Sequence, residues 1–563
     1  MADVVTPKAP EMVNLTIDGK TVQVPKGTNL IEAAKTAGIT IPHYCYHPHL
    51  SIAGNCRMCQ ISVKGQPKLT IGCNTMAAEG MEVSTHQTSK EVADAQAATL
   101  EFILINHPLD CTVCDQAGHC KLQDYHFEYN ARPSRFVENK VHKVKALPLG
   151  PNVMLDGERC IMCTRCIRFC DEVTKTSELG MLNRGDHSVI AVSPGRELDN
   201  ALSGSVVDLC PVGALTHRKW RFNTRIWFTK QTDSICTGCS TGCNVKVAER
   251  DGKVVQVKAR RNDSVNKEWL CDEGRYGFDR FLPEQRVQAT TKRGQDQSVS
   301  ASLQDVVAAL KGSVKTLTVV ASPDLLLEEY YLLRQLMLRA SSVGRAVVAY
   351  RSRSLSSVEE ILVSPDHAAN FRGAQLAGLI GEDPQAEYGE VLAKIRRKEI
   401  ENVLILGDRA IDPSDVDQAL LDGLKAAKVS VGVLTDKGHP VAASLSFVVP
   451  GRSVLEKSGL LLNRALRLQY TDQVVPLKDG TVPEWRFLAL LSEAAGAKIL
   501  SADPHKVNDR DVTRWYLTTD TVLAHQGLTI QAIKDGGVQL QAPTQQSGSG
   551  VSATSSVGAS SAA

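Results

Sequence analysis

The segment CIMCTRCIRFC, residues 160–170, places four cysteines within one short stretch of chain. Spacings of two, two and three residues between cysteines are typical of the runs that hold [4Fe–4S] clusters in bacterial ferredoxins. In two-cluster ferredoxins, the last cysteine of one run serves the other cluster, and the matching ligand comes from a Cys-Pro pair that ends the second run. Cys210-Pro211 supplies that pair here, but residues 200, 203 and 206 are asparagine, serine and valine, so the second cluster has no ligands. This segment and Cys210 form the third of four cysteine groups along the chain. The third group predicts one [4Fe–4S] cluster, with Cys170 left over as a buried or half-buried thiol and with these ligands: Cys160, Cys163, Cys166 and Cys210.

The cysteines are confined to the first half of the chain. All 16 cysteines of the 563 residues fall between Cys45 and Cys271. A net charge of +2 gives no electrostatic reason to expect nucleic acid or an anionic membrane surface. No apolar run reaches the ~18 residues of a membrane span, and the N-terminus lacks the pattern of a secretory signal. We therefore expect a cytoplasmic-type compartment, in which clustered cysteines indicate metal binding rather than disulfides.

Two more cysteine groups, the first and the fourth along the chain, contain four members each. The first group predicts a [2Fe–2S] cluster, because four thiolates neutralise and bridge such a core. The fourth group predicts a further [4Fe–4S] cluster, with a compact loop for three corners and a distant cysteine for the last. A structural zinc ion with four thiolates is the alternative for either group. The residues are, in the first group, Cys45, Cys56, Cys59 and Cys73, and in the fourth, Cys236, Cys239, Cys243 and Cys271.

The second group, Cys111, Cys114 and Cys120, has only three cysteines, so a nearby side chain must complete a [4Fe–4S] site. His107 and His119 are both within reach along the sequence. Two adjacent residues seldom direct both side chains at one cluster, so we favour His107 over His119, which adjoins Cys120. A zinc site that uses either histidine is the alternative.

Periodicity predicts a multidomain α+β and α/β protein. Residues 12–24 alternate around Asp18-Gly19 as a β-hairpin, Thr28 or Asn29 caps a helix to Ala37, and strands return at 59–63 and 81–84. A helix is predicted over 90–105. From about residue 300, strands at 317–321, 346–350, 403–407 and 429–434 alternate with helices at 325–340, 388–397 and 415–427, which indicates parallel α/β layers.

With these groups in place, the sequence resembles the large iron–sulfur subunit (the 75 kDa-type or G subunit) of NADH–quinone oxidoreductase, respiratory complex I. The segment HPLDCTVC, residues 107–114, with Cys120, is similar to that family's histidine-ligated cluster, and the other three ligand sets match its remaining clusters. Val448–Gln469, with Glu456-Lys457-Ser458-Gly459, Asn463, Arg467 and Gln469, is similar to a stretch of molybdopterin oxidoreductases near their cofactor.

The resemblance implies five domains. They are a β-grasp [2Fe–2S] ferredoxin domain at 12–90, a [4Fe–4S] domain with one histidine and three cysteine ligands at 91–130, a [4Fe–4S] ferredoxin-like domain at 131–228, a molybdopterin-oxidoreductase-type [4Fe–4S] domain at 229–285 and an α/β molybdopterin-oxidoreductase-like domain without cofactor at 300–540. The Ser/Gly/Ala/Gln-rich composition of residues 543–563 predicts a disordered tail. The domains between the β-grasp and α/β domains are expected to be small and α-rich.

The resemblance also implies an electron-relay role without a substrate site on the chain itself. Electrons would pass from an NADH/FMN flavoprotein subunit towards quinone, while the whole complex translocates ions. The implied partners are that flavoprotein, its small [2Fe–2S] partner subunit, a two-[4Fe–4S] ferredoxin-type subunit and other peripheral-arm subunits, on the cytoplasmic side of the membrane. Whether the fourth cluster carries electrons or is structural stays open.

Three other functions compete with the relay. A formate-dehydrogenase-like molybdenum subunit shares several features, but no cysteine after Cys271 is available to bind molybdenum. A hydrogenase or its diaphorase subunit fits the cysteine count and length poorly, and a zinc scaffold would have to explain all four groups together.

Arg165 and Arg168, beside the third group, are either surface residues or cations that raise a cluster potential.

Overall fold

The computed structural model describes residues 10–282, 284–293, 298–312, 316–339, 344–520 and 523–540. The predicted tail at 543–563 lies outside these residues. None of the helices within the described ranges has the length and apolarity that a membrane crossing requires.

The N-terminal unit is a five-stranded sheet with one helix packed against it, and its predicted β-β-α-β order is confirmed. Asp18 and Gly19 form the hairpin turn with positive φ, and the Asn29 side chain caps the helix by accepting from the Glu32 N–H. The sheet order is β2-β1-β5-β3-β4, in which β1 and β5 are parallel. Its elements are β1 Met12–Ile17, β2 Lys20–Pro25, α1 Leu30–Thr36, β3 Gln60–Val63, β4 Thr70–Ile71 and β5 Met81–Ser84.

The next two segments combine helices with short strands. The predicted helix over 90–105 is present and is capped by Ser89. Two small sheets follow, β10-β7-β6 and β8-β9. The elements are α2 Lys90–Leu104, α3 Lys121–Tyr129, β6 Leu147–Pro148, β7 Val153–Leu155, α4 Arg165–Arg168, β8 Leu179–Leu182, β9 Val189–Val192, α5 Ser205–Leu209 and β10 Leu215–His217.

The expectation of small α-rich domains is wrong for residues 229–285. This segment is built on a three-stranded antiparallel sheet, with one short helix after Cys271. The alternating sequence on both sides of Asp251-Gly252, which has positive φ at both residues, favours a hairpin over a helix. Its elements are β11 Lys230–Ile235, β12 Asn244–Arg250, β13 Lys253–Ala259 and α6 Asp272–Tyr276.

The C-terminal unit contains a seven-stranded sheet in the order β15-β14-β20-β19-β18-β16-β17. The strands from β16 to β20 are parallel, as predicted, whereas β14 and β15 add an antiparallel edge. A separate antiparallel sheet has the order β21-β22-β23. The elements are β14 Thr291–Arg293, β15 Ser298–Ser300, α7 Leu303–Lys311, β16 Leu317–Ala321, α8 Leu327–Arg339, β17 Arg345–Val348, α9 Phe371–Leu376, α10 Pro384–Arg396, β18 Asn402–Leu406, α11 Gln418–Ala426, β19 Val429–Leu434, β20 Phe447–Pro450, β21 Gly459–Leu462, β22 Arg467–Thr471, α12 Glu484–Ala494, α13 Asp509–Thr519, α14 Ile530–Lys534 and β23 Val538–Gln539.

One hydrophobic core joins the cysteine-bearing segments. It contains buried members of all four groups, including Cys45, Cys120, Cys163 and Cys243. The same core extends to Leu455 in the C-terminal unit. The four cysteine groups therefore lie in one continuous packed body rather than in separate modules on linkers.

Candidate metal centres

Strands β3 and β4 bring two cysteines of the first group together. Gln60 pairs with Ile71 in this ladder, and the Gly72 N–H donates to the Cys59 carbonyl oxygen at 2.8 Å. Cys59 and Cys73, the residues that flank this contact, therefore lie side by side.

The thiols of the first group form two hydrogen-bonded pairs, Cys45 with Cys56 and Cys59 with Cys73. The bond from Cys56 lowers the pKa of Cys45 to about 5, and the bond from Cys59 likewise lowers the pKa of Cys73. The same bonds, together with burial, raise the pKa values of Cys56 and Cys59. One thiolate is thus favoured in each pair, and thiolate is the form that binds iron. The donor set fits a [2Fe–2S] core, which takes four cysteines.

The second group lies between α2 and α3. Cys111 begins a short 3-10 turn and is exposed, whereas Cys114 and Cys120 are buried and Cys120 immediately precedes α3. Burial raises the pKa of Cys120 to about 11, with smaller contributions from the other two cysteines. The three thiols therefore influence one another electrostatically, as members of one site would.

The two candidate histidines face different surroundings. Burial, and then the charge of Arg159, lowers the pKa of His107 to about 4; the charge of Arg159 also acts on Cys114. The pKa of His119 is lowered to about 3 by burial and then by Lys258, and His119 lines a polar cavity with that lysine. Within the described residues, Nδ1 of His107 and both ring nitrogens of His119 are buried without a hydrogen-bond partner. The charge of Arg159 thus acts on both His107 and Cys114. His119 is instead influenced by Lys258, which lines the same polar cavity.

Arg159 is a residue of this site that sequence reasoning missed. It is buried next to Cys160 and forms ion pairs with Asp110 at 2.8 Å and Asp156 at 3.3 Å. Asp110 precedes Cys111, so this contact ties the second cysteine loop to the third. A charged residue directly beside a cysteine of the run was the available signal.

The third group encloses one cavity, lined by all four predicted ligands and by Arg165. Met162 and Thr164, which separate its cysteines, adopt left-handed backbone conformations with φ of 52° and 60°. These turns bend the loop back on itself, and the Met162 N–H donates to the Cys160 sulfur at 3.4 Å. The ligands that line the cavity are Cys160, Cys163, Cys166 and Cys210.

Cys170 stands apart from that cavity. It is fully buried in a π-helical turn over Phe169–Val173. Burial, followed by the charge of Glu178, raises the pKa of its thiol to about 12. The thiol is therefore protonated at neutral pH in these surroundings.

The fourth group also lines one cavity, which includes Gly238, Gly242 and Gly274. A β-carbon added at Gly274 would lie 3.0 Å from the Cys236 sulfur and 3.3 Å from the Cys271 sulfur, so glycine keeps this space open. The Gly274 N–H donates to the Cys271 sulfur at 3.3 Å. Such N–H donors are a means by which proteins tune iron–sulfur clusters. The ligands that line the cavity are Cys236, Cys239, Cys243 and Cys271.

A second N–H donor to the fourth group comes from far along the chain. The Ser364 N–H donates to the Cys239 sulfur at 3.4 Å. No local pattern points to this residue, because it belongs to a loop of the C-terminal unit.

Among the described residues, no three or more His, Cys, Asp or Glu side chains converge closely enough to hold a single metal ion.

Four family models match the chain in succession. They are a 2Fe-2S iron-sulfur cluster binding domain at residues 10–88, the NADH-ubiquinone oxidoreductase-G iron-sulfur binding region at 96–135, the ferredoxin-like domain of NADH-quinone oxidoreductase subunit 3 at 150–216 and the molybdopterin oxidoreductase Fe4S4 domain at 229–282. The predictions of [2Fe–2S] and [4Fe–4S] binding domains are confirmed at this level.

Curated relatives agree with these matches. The G subunit of a NADH-quinone oxidoreductase from Rickettsia bellii is 39% identical over 306 residues, which are 54% of this chain and 44% of the relative. The chain is therefore similar to NADH-quinone oxidoreductase G subunits over part of their length. A mitochondrial NADH-ubiquinone oxidoreductase 78 kDa subunit of Neurospora crassa is 35% identical over 414 residues, 71% of this chain and 55% of the relative.

The chain spans about half the length of the first curated proteins that it matches. Among solved structures, a chain of a NAD+-reducing [NiFe]-hydrogenase in the H2-reduced state is 28% identical, with a TM-score of 0.34. The match covers 38% of this chain and 91% of the hydrogenase chain.

Proposed function

We propose that the chain is an electron-relay subunit of a NADH–quinone oxidoreductase, holding one [2Fe–2S] and three [4Fe–4S] clusters. One observation carries the proposal: each matching family model spans one complete predicted ligand set and no other. The chain's thiolates, with His107 in the second site, would hold the clusters, and the clusters would supply one-electron redox chemistry. The molybdenum alternative has no comparable support.

The packing supports relay rather than isolated storage of electrons. Buried cysteines of all four groups belong to one shared hydrophobic core. Tyr44, next to Cys45, is fully buried and packs against Tyr125 of α3, with ring centroids 5.3 Å apart. The first and second sites are therefore joined by packed side chains rather than by solvent.

Hydrogen bonds join the loop of the fourth site to the C-terminal unit, which indicates a structural role for this site. The Thr241 hydroxyl donates to the Leu362 carbonyl oxygen at 2.7 Å, and the amides of Asn463 and Gln469 donate to its loop at 3.2 Å and 3.0 Å. These two amides lie in the stretch that resembles molybdopterin oxidoreductases. We assign the fourth cluster the role of docking the α/β unit onto the cysteine-rich half.

The proposed partners follow the family resemblance. They are the NADH/FMN flavoprotein subunit, its small [2Fe–2S] partner, the two-[4Fe–4S] subunit and other peripheral-arm subunits of a complex that translocates ions on the cytoplasmic side of the membrane. The names of the curated relatives support membership of such a complex.

Metal analysis and rapid freeze-quench spectroscopy of the full chain, purified without oxygen, test the proposal. Less than one electron equivalent of a fast reductant is added, and paramagnetic signals are recorded at increasing quench times. A relay predicts rapid movement of the electron to the cluster of highest potential. Signals that fill independently and never redistribute would contradict relay, and stoichiometric molybdenum would favour the formate-dehydrogenase-like alternative.

Replacing Cys239 with serine tests the structural role of the fourth site. We expect faster backbone hydrogen exchange around residues 362–366, while the other three clusters keep their signals. Hydrogen exchange at the native rate after loss of the fourth cluster would contradict this structural role.

A further inference from the structure

Arg168 reaches from the third cysteine run to the first. Its Nη2 donates to the carbonyl oxygen of Cys45 at 2.6 Å and to that of Cys163 at 3.3 Å. Its Nη1 donates to the Ser51 carbonyl oxygen. One guanidinium group therefore joins the backbone of a predicted ligand in the first site to that of a predicted ligand in the third.

Arg165 makes a parallel connection from a more buried position. Its side chain is only 6% exposed, and it donates to the carbonyl oxygens of Tyr46, next to Cys45, and Leu209, next to Cys210. Among the described residues, its Nε–H is buried without a hydrogen-bond partner. Because the side chain also lines the cavity of the third group, this donor is available to a sulfur atom in that cavity.

The charge of these arginines is not balanced by carboxylates. Among the described residues, neither guanidinium forms an ion pair with Asp or Glu, although burying a charge without a counter-charge is costly. Instead, Arg168 lies against the backbone of Cys45 and Cys163, and Arg165 lines the cavity of the third group. The two positive charges therefore lie beside the predicted first and third cluster sites.

We propose that Arg165 and Arg168 are positioning residues that fix the first and third cluster sites to each other, and that their positive charges raise the reduction potentials of both clusters. This inference rests on the proposed function. Reduction adds negative charge to a cluster, so a fixed cation nearby stabilises the reduced state. The planar fork of an arginine holds several acceptors in a defined geometry, which a lysine does not reproduce.

The test compares Arg168→Gln, Arg168→Lys and native full-length protein, each purified without oxygen and titrated potentiometrically with paramagnetic detection. Arg168 is used because it is less buried than Arg165. The matched control is Arg57→Gln, which removes the same charge from an exposed residue between Cys56 and Met58. Arg57 lies on the first loop but, among the described residues, forms no hydrogen bond or ion pair with the third run.

We expect Arg168→Gln to shift the potentials of the first and third clusters to more negative values and to leave those of the second and fourth unchanged. In Arg168→Lys the positive charge remains, so the reduction potentials of the first and third clusters should stay close to the native values. The magnetic interaction between these two clusters should change, because lysine lacks the planar fork of the guanidinium group. Arg57→Gln should leave the third cluster unchanged. If Arg168→Gln assembles both clusters with native potentials, the inference is wrong; if the Gln variant loses a cluster, native potentials and native magnetic interaction in Arg168→Lys would also overturn it. A native chain without iron–sulfur signals would instead contradict the proposed function.

Discussion

Replacing Gly213 with alanine should selectively damage the second cluster site. A β-carbon at this position would lie 2.1 Å from the Cys114 sulfur and 3.1 Å from the Gln116 β-carbon. Non-bonded heavy atoms prefer about 3.5 Å or more, so the contact with sulfur is short by about 1.4 Å. Gly213 does not have the positive φ that would itself exclude alanine, so the damage is steric. Because a side chain rotates more easily than backbone shifts, we expect the sulfur of Cys114 to move rather than the loop after Cys210.

Overpacking of this kind costs about 1–3 kcal/mol, which corresponds to roughly a 5- to 150-fold loss in the equilibrium for assembling the site. We expect iron per chain to fall from about 14 towards about 10 as only the second [4Fe–4S] signal is lost. Iron analysis and low-temperature paramagnetic resonance measure both quantities. Gly180→Ala is the control, because a β-carbon there would meet no atom within 4 Å. A full-intensity second signal at the native potential in Gly213→Ala would refute the position assigned to Cys114.

The remaining predictions concern the second site and the α/β unit. His107→Cys should keep a cluster with an altered potential, and His119→Ala should leave that cluster intact; potentiometric titration that gives the reverse result would assign His119 as the ligand. Lys457→Met should destabilise the protein by about 3–5 kcal/mol, because the lysine is buried between two buried glutamates at 2.5 Å and 3.2 Å. Lys506→Met removes a lysine whose side chain is 82% exposed and pairs with Asp503 at 3.7 Å, so it should cost less than about 1 kcal/mol. Equal shifts of the two variants in chemical denaturation would contradict the difference.

Local sequence signals predicted much of the fold. The Asp18-Gly19 turn and the Asn29 cap are set by neighbouring residues, and both are present. The strands predicted at 317–321 and 429–434 have the observed bounds, because short, largely apolar runs of this length fit buried parallel strands. The antiparallel edge strands β14 and β15 were not predicted, since short polar strands carry little periodicity.

Long-range contacts explain what sequence could not provide for the sites. Cysteine spacing describes thiols on one loop, but the Ser364 N–H that meets Cys239 lies 125 residues away. The arginines beside Cys166 were visible in the sequence, whereas their bonds to the loop of Cys45 depend on how two segments pack. Spacing therefore predicted candidate ligands, and tertiary structure was needed to find the groups that hold one site against another.

The number and kind of bound metal atoms tests the central claim most directly. Iron, acid-labile sulfide and zinc should be measured on the full chain purified without oxygen, together with paramagnetic spectra of the reduced protein. We predict about 14 iron atoms and as many sulfides per chain, with one [2Fe–2S] and three [4Fe–4S] signals. A colourless protein, or one with zinc in place of iron at the four cysteine groups, would contradict the account.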